Sequence, residues 1–261
     1  MAIYRSTALV DFIASKGSVR QALQNCRVLI FSGTQPTNAD TGSGGVAPLV
    51  SLTASGGAFV NETLPQWKFT LVGSAGSVDS IKIGGVEQLP APVNYTSSIT
   101  ATCSAIANVI NSNGAFPDYT ATVGGVSNDE ITVYGPVSCG ATLNDLVMTV
   151  ATTGLTTAIT NSGAVATAGI AAVNGGTWEY VPATGVISKT STVWSGTIAT
   201  TGTASWFMIT TDNDTGTTSS STARRVIGSV AATGGDLNLS STSLTVGASV
   251  TINSWTLTVS K

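Results

Sequence analysis

Residues 204–212, ASWFMITTD, and 223–231, ARRVIGSVA, followed by DLNLSS at 236–241 and SVTINSWTLTVS at 249–260, decide the fold. Each is a short run rich in β-branched and aromatic residues, and turn text at Asn213–Thr217, Gly234–Gly235 and Gly247 separates them; such punctuation predicts strands joined by turns. TWEYVPA at 177–183 and GVISKTS at 185–191 read the same way, with further turns at Gly185 and Thr200–Thr203. The final strand alternates Ile252, Trp255, Leu257 and Val259 imperfectly, which predicts a bulge near Asn253–Ser254. No helical period interrupts this half, so it reads as a β-sandwich.

The N-terminal part begins differently. Thr7 is placed to cap a turn carrying Leu9, Val10 and Ile13, Gly17 closes it, and Ser18 is placed to cap a second short helix through Val19, Ala22 and Leu23. RVLIFSG at 27–33 is then an apolar strand, TQPTNADTGSGG at 34–45 a surface loop, and APLVSLT at 47–53 and GGAFVNETL at 56–64 further strand text;.

From Trp67 the runs WKFTLVG, SVDSIKIGGVEQL, YTATVGG, DEITVYG and LVMTVATTG alternate as in an antiparallel sheet;. Among them lies one amphipathic helix, with Ile99, Cys103, Ile106, Ala107 and Ile110 three and four residues apart. Thr96, Ser97 or Ser98 can cap it and Asn113–Gly114 ends it. The middle is therefore a small α+β unit, 67–165, of strand-helix-strand or Ig-like build, and TNSGAVATAGIAAVNGG at 160–176 reads as linker text;.

Composition narrows the function. Only 9% of residues are charged against 42% hydrophobic, and 29 are glycine. An average soluble domain carries roughly 25% charged residues, and interspersed charge is the usual defence against association. The surface must be largely Ser, Thr, Asn, Gly and small apolar groups, which suits packing against other subunits in a homo-oligomer or larger assembly. With net charge −3 and no basic run, the chain has no electrostatic footprint for nucleic acid. The opening residues do not read as a secretory signal and no apolar run reaches membrane-span length, so the expectation is folding in the cytoplasm of the producing cell, without membrane contact.

Candidate chemistry is sparse. The chain has no histidine, which removes the commonest general base and metal ligand and every Ser-His or Cys-His nucleophile pair. A paired-carboxylate hydrolase needs only two acids, but the acidic residues stand singly in turn text. TTDNDTGTT at 210–218 partly resembles a calcium loop through Asp212, Asn213 and Asp214, yet no bidentate Glu follows; a tight hairpin is expected there. The glycine-rich GSAGSVDS and GGVSND lack the features of a phosphate loop. No cofactor, metal or catalytic residue is expected. Arg224–Arg225, the densest basic spot, reads as a solvated strand end or an inter-subunit salt bridge.

Of the cysteines, Cys103 reads as a buried thiol, and Cys139, in GPVSCGAT, as exposed; Cys26 and Cys139 are the candidates for an inter-subunit disulfide. The tryptophans Trp67, Trp178, Trp194, Trp206 and Trp255 read as core residues or interface anchors, the last four being the anchor candidates. A sugar-stacking platform is the alternative.

The phrases at both ends also carry a resemblance. STALVDFIASKGSVRQALQNCRVLIFSGTQPTNAD at 6–40, VWSGTIATTGTASWFMITTD at 193–212 and RRVIGSVAATGGDLNLSSTSLTVGASVTINSWTLT at 224–258 resemble the two halves of a family of small tailed-phage virion proteins. SIKIGGVEQLPAPVNYTSSITATCSAIANVINSNGAFPDYTATVGGVSNDEITVYGP at 80–136 resembles a module that recurs in other phage virion proteins. The resemblance implies a discontinuous base domain, 1–66 plus 166–261, that docks on the particle, with 67–165 inserted into it as a projecting domain. It further implies a non-enzymatic virion component on the capsid, neck, collar or tail, whose partners are other phage virion proteins. A host-glycan-binding adhesion module is the alternative, and a carboxylate-dependent glycan hydrolase is a third.

Overall fold

The computed structural model describes residues 3–15, 17–113, 118–181, 186–211 and 213–258. Gly114, Gly185, Asp212 and Val259, named above, lie outside the described residues. The chain is mainly β, with 38% of residues in strands and 14% in helices. It divides into two compact units, Met1–Asn61 with Ala172–Lys261, and Glu62–Ala171. These boundaries, 61/62 and 171/172, differ from the 66/67 and 165/166 drawn from the sequence.

The base unit opens with β1 (Tyr4–Arg5), α1 (Thr7–Ser15), α2 (Val19–Ala22), β2 (Arg27–Phe31) and β3 (Val50–Ala54). The residue that caps α1 is Ser6, whose Oγ accepts from the Leu9 N–H at 3.3 Å. Thr7 instead donates through its N–H and Oγ1 to the Asp40 carboxylate, at 2.9 and 2.6 Å. Ser18 caps α2 as expected, accepting from the Gln21 N–H at 3.2 Å;. GGAFVNETL forms no regular strand: within the base unit it contributes an isolated bridge, Val60 to Val173.

In the inserted unit the elements are β4 (Gln66–Val72), β5 (Ser77–Ile83), β6 (Val86–Glu87), β7 (Val93–Asn94), α3 (Ile99–Ser112), β8 (Thr120–Gly124), β9 (Glu130–Tyr134), β10 (Met148–Thr153) and β11 (Thr156–Ile159). They form one sheet in the order β11-β4-β9-β8 and another in which β5 lies between β10 and β6 and also pairs with β7. Trp67, Phe69 and Leu71 of β4, Val78, Ile81 and Ile83 of β5, and Ile131 and Val133 of β9 share one core with Cys103, Ile106, Ala107 and Ile110 of α3. The helix cap is Ser98, whose Oγ accepts from the Ala101 N–H at 3.1 Å. The supposed linker is partly built into this unit, because Thr167 bridges to Gln66 and Ile170 to Thr63.

The chain returns to the base unit with β12 (Trp178–Val181), β13 (Val186–Lys189), β14 (Trp194–Thr197), β15 (Gly202–Thr203), β16 (Trp206–Thr210), β17 (Arg225–Ala231), β18 (Leu237–Asn238), β19 (Ser243–Leu244), β20 (Ser249–Ile252) and β21 (Thr256–Thr258). The large sheet runs β1-β17-β16-β2-β3-β14-β20, with β18 joined to β17 in parallel. A second sheet is β12-β13-β21, and β15 pairs with β19.

Strand alternation sends Val28, Ile30, Phe207, Ile209 and Val226 to one face of the large sheet. There they join α1, α2, Trp178, Ile187, Trp194, Trp255 and Leu257 in the main core. Leu29, Phe31, Trp206, Met208 and Ile227 point the other way into a smaller buried cluster. Burial on both faces is why RVLIF and WFMIT are continuous apolar runs rather than alternating ones. Gly228 is required where the Phe207 ring crosses β17, since a Cβ there would lie 2.8 Å from the ring.

The closing segment is two strands, not one bulged strand. β20 pairs with β14 and β21 with β13. The break at Asn253–Ser254 lets the chain change sheets while the Trp255 side chain enters the core, a corner typical of packed sheets.

Candidate functional site

The densest polar constellation among the described residues lies where the outer face of the large sheet is roofed by the 34–49 and 211–224 loops. These loops hold each other: the Ser43 and Gly45 N–H groups donate to the carbonyls of Gly216 and Thr217, both at 2.8 Å. Beneath them Arg225, on the face it shares with Ile227, is fully enclosed, with 0% of its surface exposed. Its Nε and Nη2 donate to the two carboxylate oxygens of Asp214, each at 2.7 Å. Nη2 also donates to the Thr218 carbonyl at 2.9 Å, and Nη1 to the carbonyls of Ala39 and Asp40, each at 3.3 Å. All five guanidinium N–H groups thus have an acceptor.

Asp214 is equally occupied. Besides Arg225, it accepts from Thr210 Oγ1 at 2.5 Å and from the Gly216 N–H at 3.1 Å. Its main-chain carbonyl accepts from Arg27 Nη2 at 2.6 Å. Burial alone would raise the Asp214 pKa, but the hydrogen bonds from Arg225, Thr210 and Gly216 outweigh it and hold the carboxyl below its ordinary value;. With two acceptor sites on each oxygen filled, this carboxylate has no lone pair left for a substrate proton or a cation. The constellation is a fastener. It ties the loop roof to β16, β17 and, through Ser6, to α1: Ser6 Oγ accepts from the Arg225 N–H at 2.8 Å.

Two sequence readings are corrected here. Arg225 is neither a solvated strand end nor available to another subunit, because a charge on a face covered by loops has to find its partner inside the chain. The 211–224 segment is a long connection folded onto the sheet rather than a tight hairpin. The usable signal was the alternation itself: Arg225, Ile227 and Ser229 share one face, so a strand buried on both sides had to bury the arginine with an acid.

Of the two readings of the tryptophans, core residue or interface anchor, the four anchor candidates take the first. Trp178, Trp194 and Trp255 form one aromatic cluster with Phe207 in the main core, with ring centroids 5.1 Å apart for Trp178–Trp194 and 5.0 Å for Phe207–Trp255. Trp206 stacks on Phe31 at 4.3 Å on the opposite face. None of these four is more than 7% exposed, so they are core residues of this chain and offer neither an interface anchor nor a sugar-stacking face. Burial of these large rings is accompanied by partners for most of their N–H groups: Trp206 Nε1 donates to the Ser32 carbonyl and Trp255 Nε1 to that of Asp236, while Trp194 Nε1 is buried without a hydrogen-bond partner. Trp67 is likewise fully buried, in the inserted unit.

Cys26 is enclosed beneath Trp178, whose Nε1 donates to its Sγ at 3.3 Å. Burial pushes its thiol up to about 12 despite that hydrogen bond. It is thereby removed as a partner in an inter-subunit disulfide, which requires an accessible thiolate. Cys139 is half-buried rather than exposed, and burial, with Glu62 adding to it, pushes it up to about 11. Cys103 is buried on α3, as expected.

A cleft of about 600 Å³ in the base unit is lined by Ser188, Asp236, Asn238, Trp255 and Thr256, among others. Asp236 is the one acid in that lining, and its Oδ2 accepts from the N–H and hydroxyl of Ser229 at 2.8 and 2.7 Å. A paired-carboxylate hydrolysis needs a second acid within about 5–9.5 Å, and the lining supplies none. No group of three or more Cys, Asp or Glu side chains among the described residues is placed to hold a metal ion. No helix among them is long and apolar enough to cross a membrane. Compared with protein-family models, with curated proteins and with solved structures, the chain matches none.

Proposed function

We propose that this chain is a non-enzymatic structural subunit of a phage particle that acts by packing against other subunits, with the base unit as the docking part. The observation that carries the reading is where the polar groups go. The buried Asp214–Arg225 pair is wholly engaged in fastening loops, and the stretch Leu237–Thr258, whose exposed positions are Ser, Thr, Asn, Gly, Ala and Val, holds no charged residue at all. A chain with so few surface charges is suited to being covered. The resemblance of both chain ends to tailed-phage virion proteins names the kind of assembly.

The test is mass spectrometry of particles purified from cells replicating the encoding phage, with cryo-electron microscopy to locate the density. Recovery at a fixed copy number per particle is expected. Absence from intact particles refutes the reading.

A further inference from the structure

The outer strands of the two units differ in how they are guarded against pairing with another chain. An edge strand presents a row of unpaired N–H and C=O groups, which proteins usually blunt with charge, bulges or covering groups. β1, at one end of the large sheet, carries Arg5, and β12 carries the exposed Glu179. β8 has the N–H and C=O of Ala121 bonded to the side-chain amide of Asn111 on α3, at 2.8 and 2.9 Å. β10 breaks register between Ala151 and Thr152.

β20, the other end of the large sheet, carries no charge, like the outer strands β11 and β21; it has no break of register, and beside it Leu239–Ser241 and Ser243–Thr245 line a shallow cleft together with Ser249–Thr251. The strand pairs with β14 in unbroken register, Ser249 to Thr197 through Ile252 to Trp194, and no charge lies between Leu237 and Thr258. The turn before it fixes which way its backbone faces. Gly247, at φ 83°, donates to the Ile198 carbonyl at 2.9 Å, while the Ile198 N–H donates to the Ala248 carbonyl at 2.8 Å. This is a glycine bulge preceding the strand. Alternation from that point directs Val250 and Ile252 to β14 and leaves the N–H and C=O of Ser249 and Thr251 pointing away from it. The side chains of Ser249 and Thr251 are exposed, whereas Ile252 is buried in the main core and Val250 packs against it.

We propose that β20 is a homotypic assembly edge, through which two copies of this chain pair antiparallel across a two-fold axis at Val250. The inference deepens the assembly reading above and rests on it. A second copy fits because the edge is complementary to itself. In that register Ser249 lies opposite Thr251 of the second copy, and the outward groups of both satisfy one another in about four hydrogen bonds. The two Val250 side chains meet at the axis and join the rims of two cores. The flanking turn, with Val246 58% exposed, comes alongside Ile252–Ser254 of the second copy. Nothing charged opposes its own image.

The register makes a charge-swap test possible in the full chain. Sedimentation equilibrium of the wild type is expected to show a reversible dimer. S249K/T251K sets Lys opposite Lys twice and is expected to weaken dimerisation at least about tenfold, with an unchanged melting curve at concentrations where the wild type is monomeric, because both side chains already face solvent. S249K/T251E has the same number of substitutions but sets Lys opposite Glu, and is expected to dimerise again.

A wild type that stays monomeric at its highest soluble concentration overturns the proposal, even if it captures another virion protein. So does a Lys/Lys variant that still dimerises, or a Lys/Glu variant that does not. Presence in particles combined with a monomeric wild type sinks the edge but leaves the assembly reading standing. Absence from particles combined with the charge-swap pattern does the reverse.

Discussion

Replacing Asp214 by alanine tests the fastening constellation most directly. The substitution leaves the Arg225 guanidinium, 0% exposed, without a counter-charge, and removes the acceptor of Thr210 Oγ1 and the Gly216 N–H. Breaking a buried ion pair by deleting one partner costs about 3–5 kcal/mol. Arg225 keeps its three carbonyl acceptors, which places the expected loss toward the lower half of that range. For a unit of roughly 150 residues, each kcal/mol lowers Tm by about 2–4 °C, so D214A should melt roughly 6–15 °C lower. Tryptophan fluorescence is the assay, because Trp178, Trp194, Trp206 and Trp255 lie in the base unit and only Trp67 in the inserted one. R225M alone strands the carboxylate instead, while D214A/R225M removes both charges. The double variant should therefore be less destabilised than the two losses added, by about 1–3 kcal/mol of coupling. Additivity within about 0.5 kcal/mol, or a D214A loss under about 1 kcal/mol, would refute the fastening role.

Three further outcomes follow from the same geometry. The Asp214 carboxyl has a folded pKa below its unfolded value, so its contribution is fully present above the ordinary carboxylate range and is lost as pH falls through the folded value; acid melts of the wild type should steepen there, and those of D214A/R225M should lack that component. Cys26, with its thiol pushed up to about 12, should resist alkylation in the native protein while Cys139 reacts slowly, and all three cysteines should react at full speed in denaturant; native-state labelling of Cys26 read by peptide mass spectrometry would contradict its enclosure. Excising 62–171 and joining Asn61 to Ala172 through Gly-Gly should leave the base unit folded, because Val60 and Val173 already exchange backbone hydrogen bonds at 3.0 and 2.9 Å beside the cut; a soluble chain with a single cooperative melt is expected, and aggregation refutes independent folding.

What could be read from the sequence follows from which interactions are local. Continuous apolar runs such as RVLIF, the three-and-four spacing on α3 and the caps Ser18 and Ser98 are short-range features, and they stand where their patterns place them. Ser6 displaces Thr7 as the α1 cap because Asp40, 33 residues away, takes up both donors of Thr7. The strand drawn through Asn253 failed for the same reason: whether a chain continues in its sheet or crosses to the next depends on where Trp255 finds its neighbours Trp178 and Phe207. Tryptophan exposure was not legible either. A residue type prized at interfaces and in cores for the same large apolar area cannot reveal from its spelling which of the two it occupies.

The choice of arginine at position 225 shows what the fastener adds beyond stability. A leucine there would match the apolar face beside Ile227, and replacing buried ion pairs by apolar residues is often neutral or stabilising. A leucine, however, would leave the carbonyls of Ala39 and Thr218 without the donor they have now, while that of Asp40 would keep the Ser220 N–H. Those carbonyls belong to two loops that have no regular strand pairing to set their position, and each buried carbonyl left unpaired costs about 1–3 kcal/mol. The planar guanidinium reaches both loops and the Asp214 carboxylate at once, and this arrangement of the roof gives each of its five N–H groups an acceptor;. Arg225 thus selects that roof over others of similar compactness. The same roof keeps the Phe31–Trp206 stack and Met208 out of water on the outer face of the sheet.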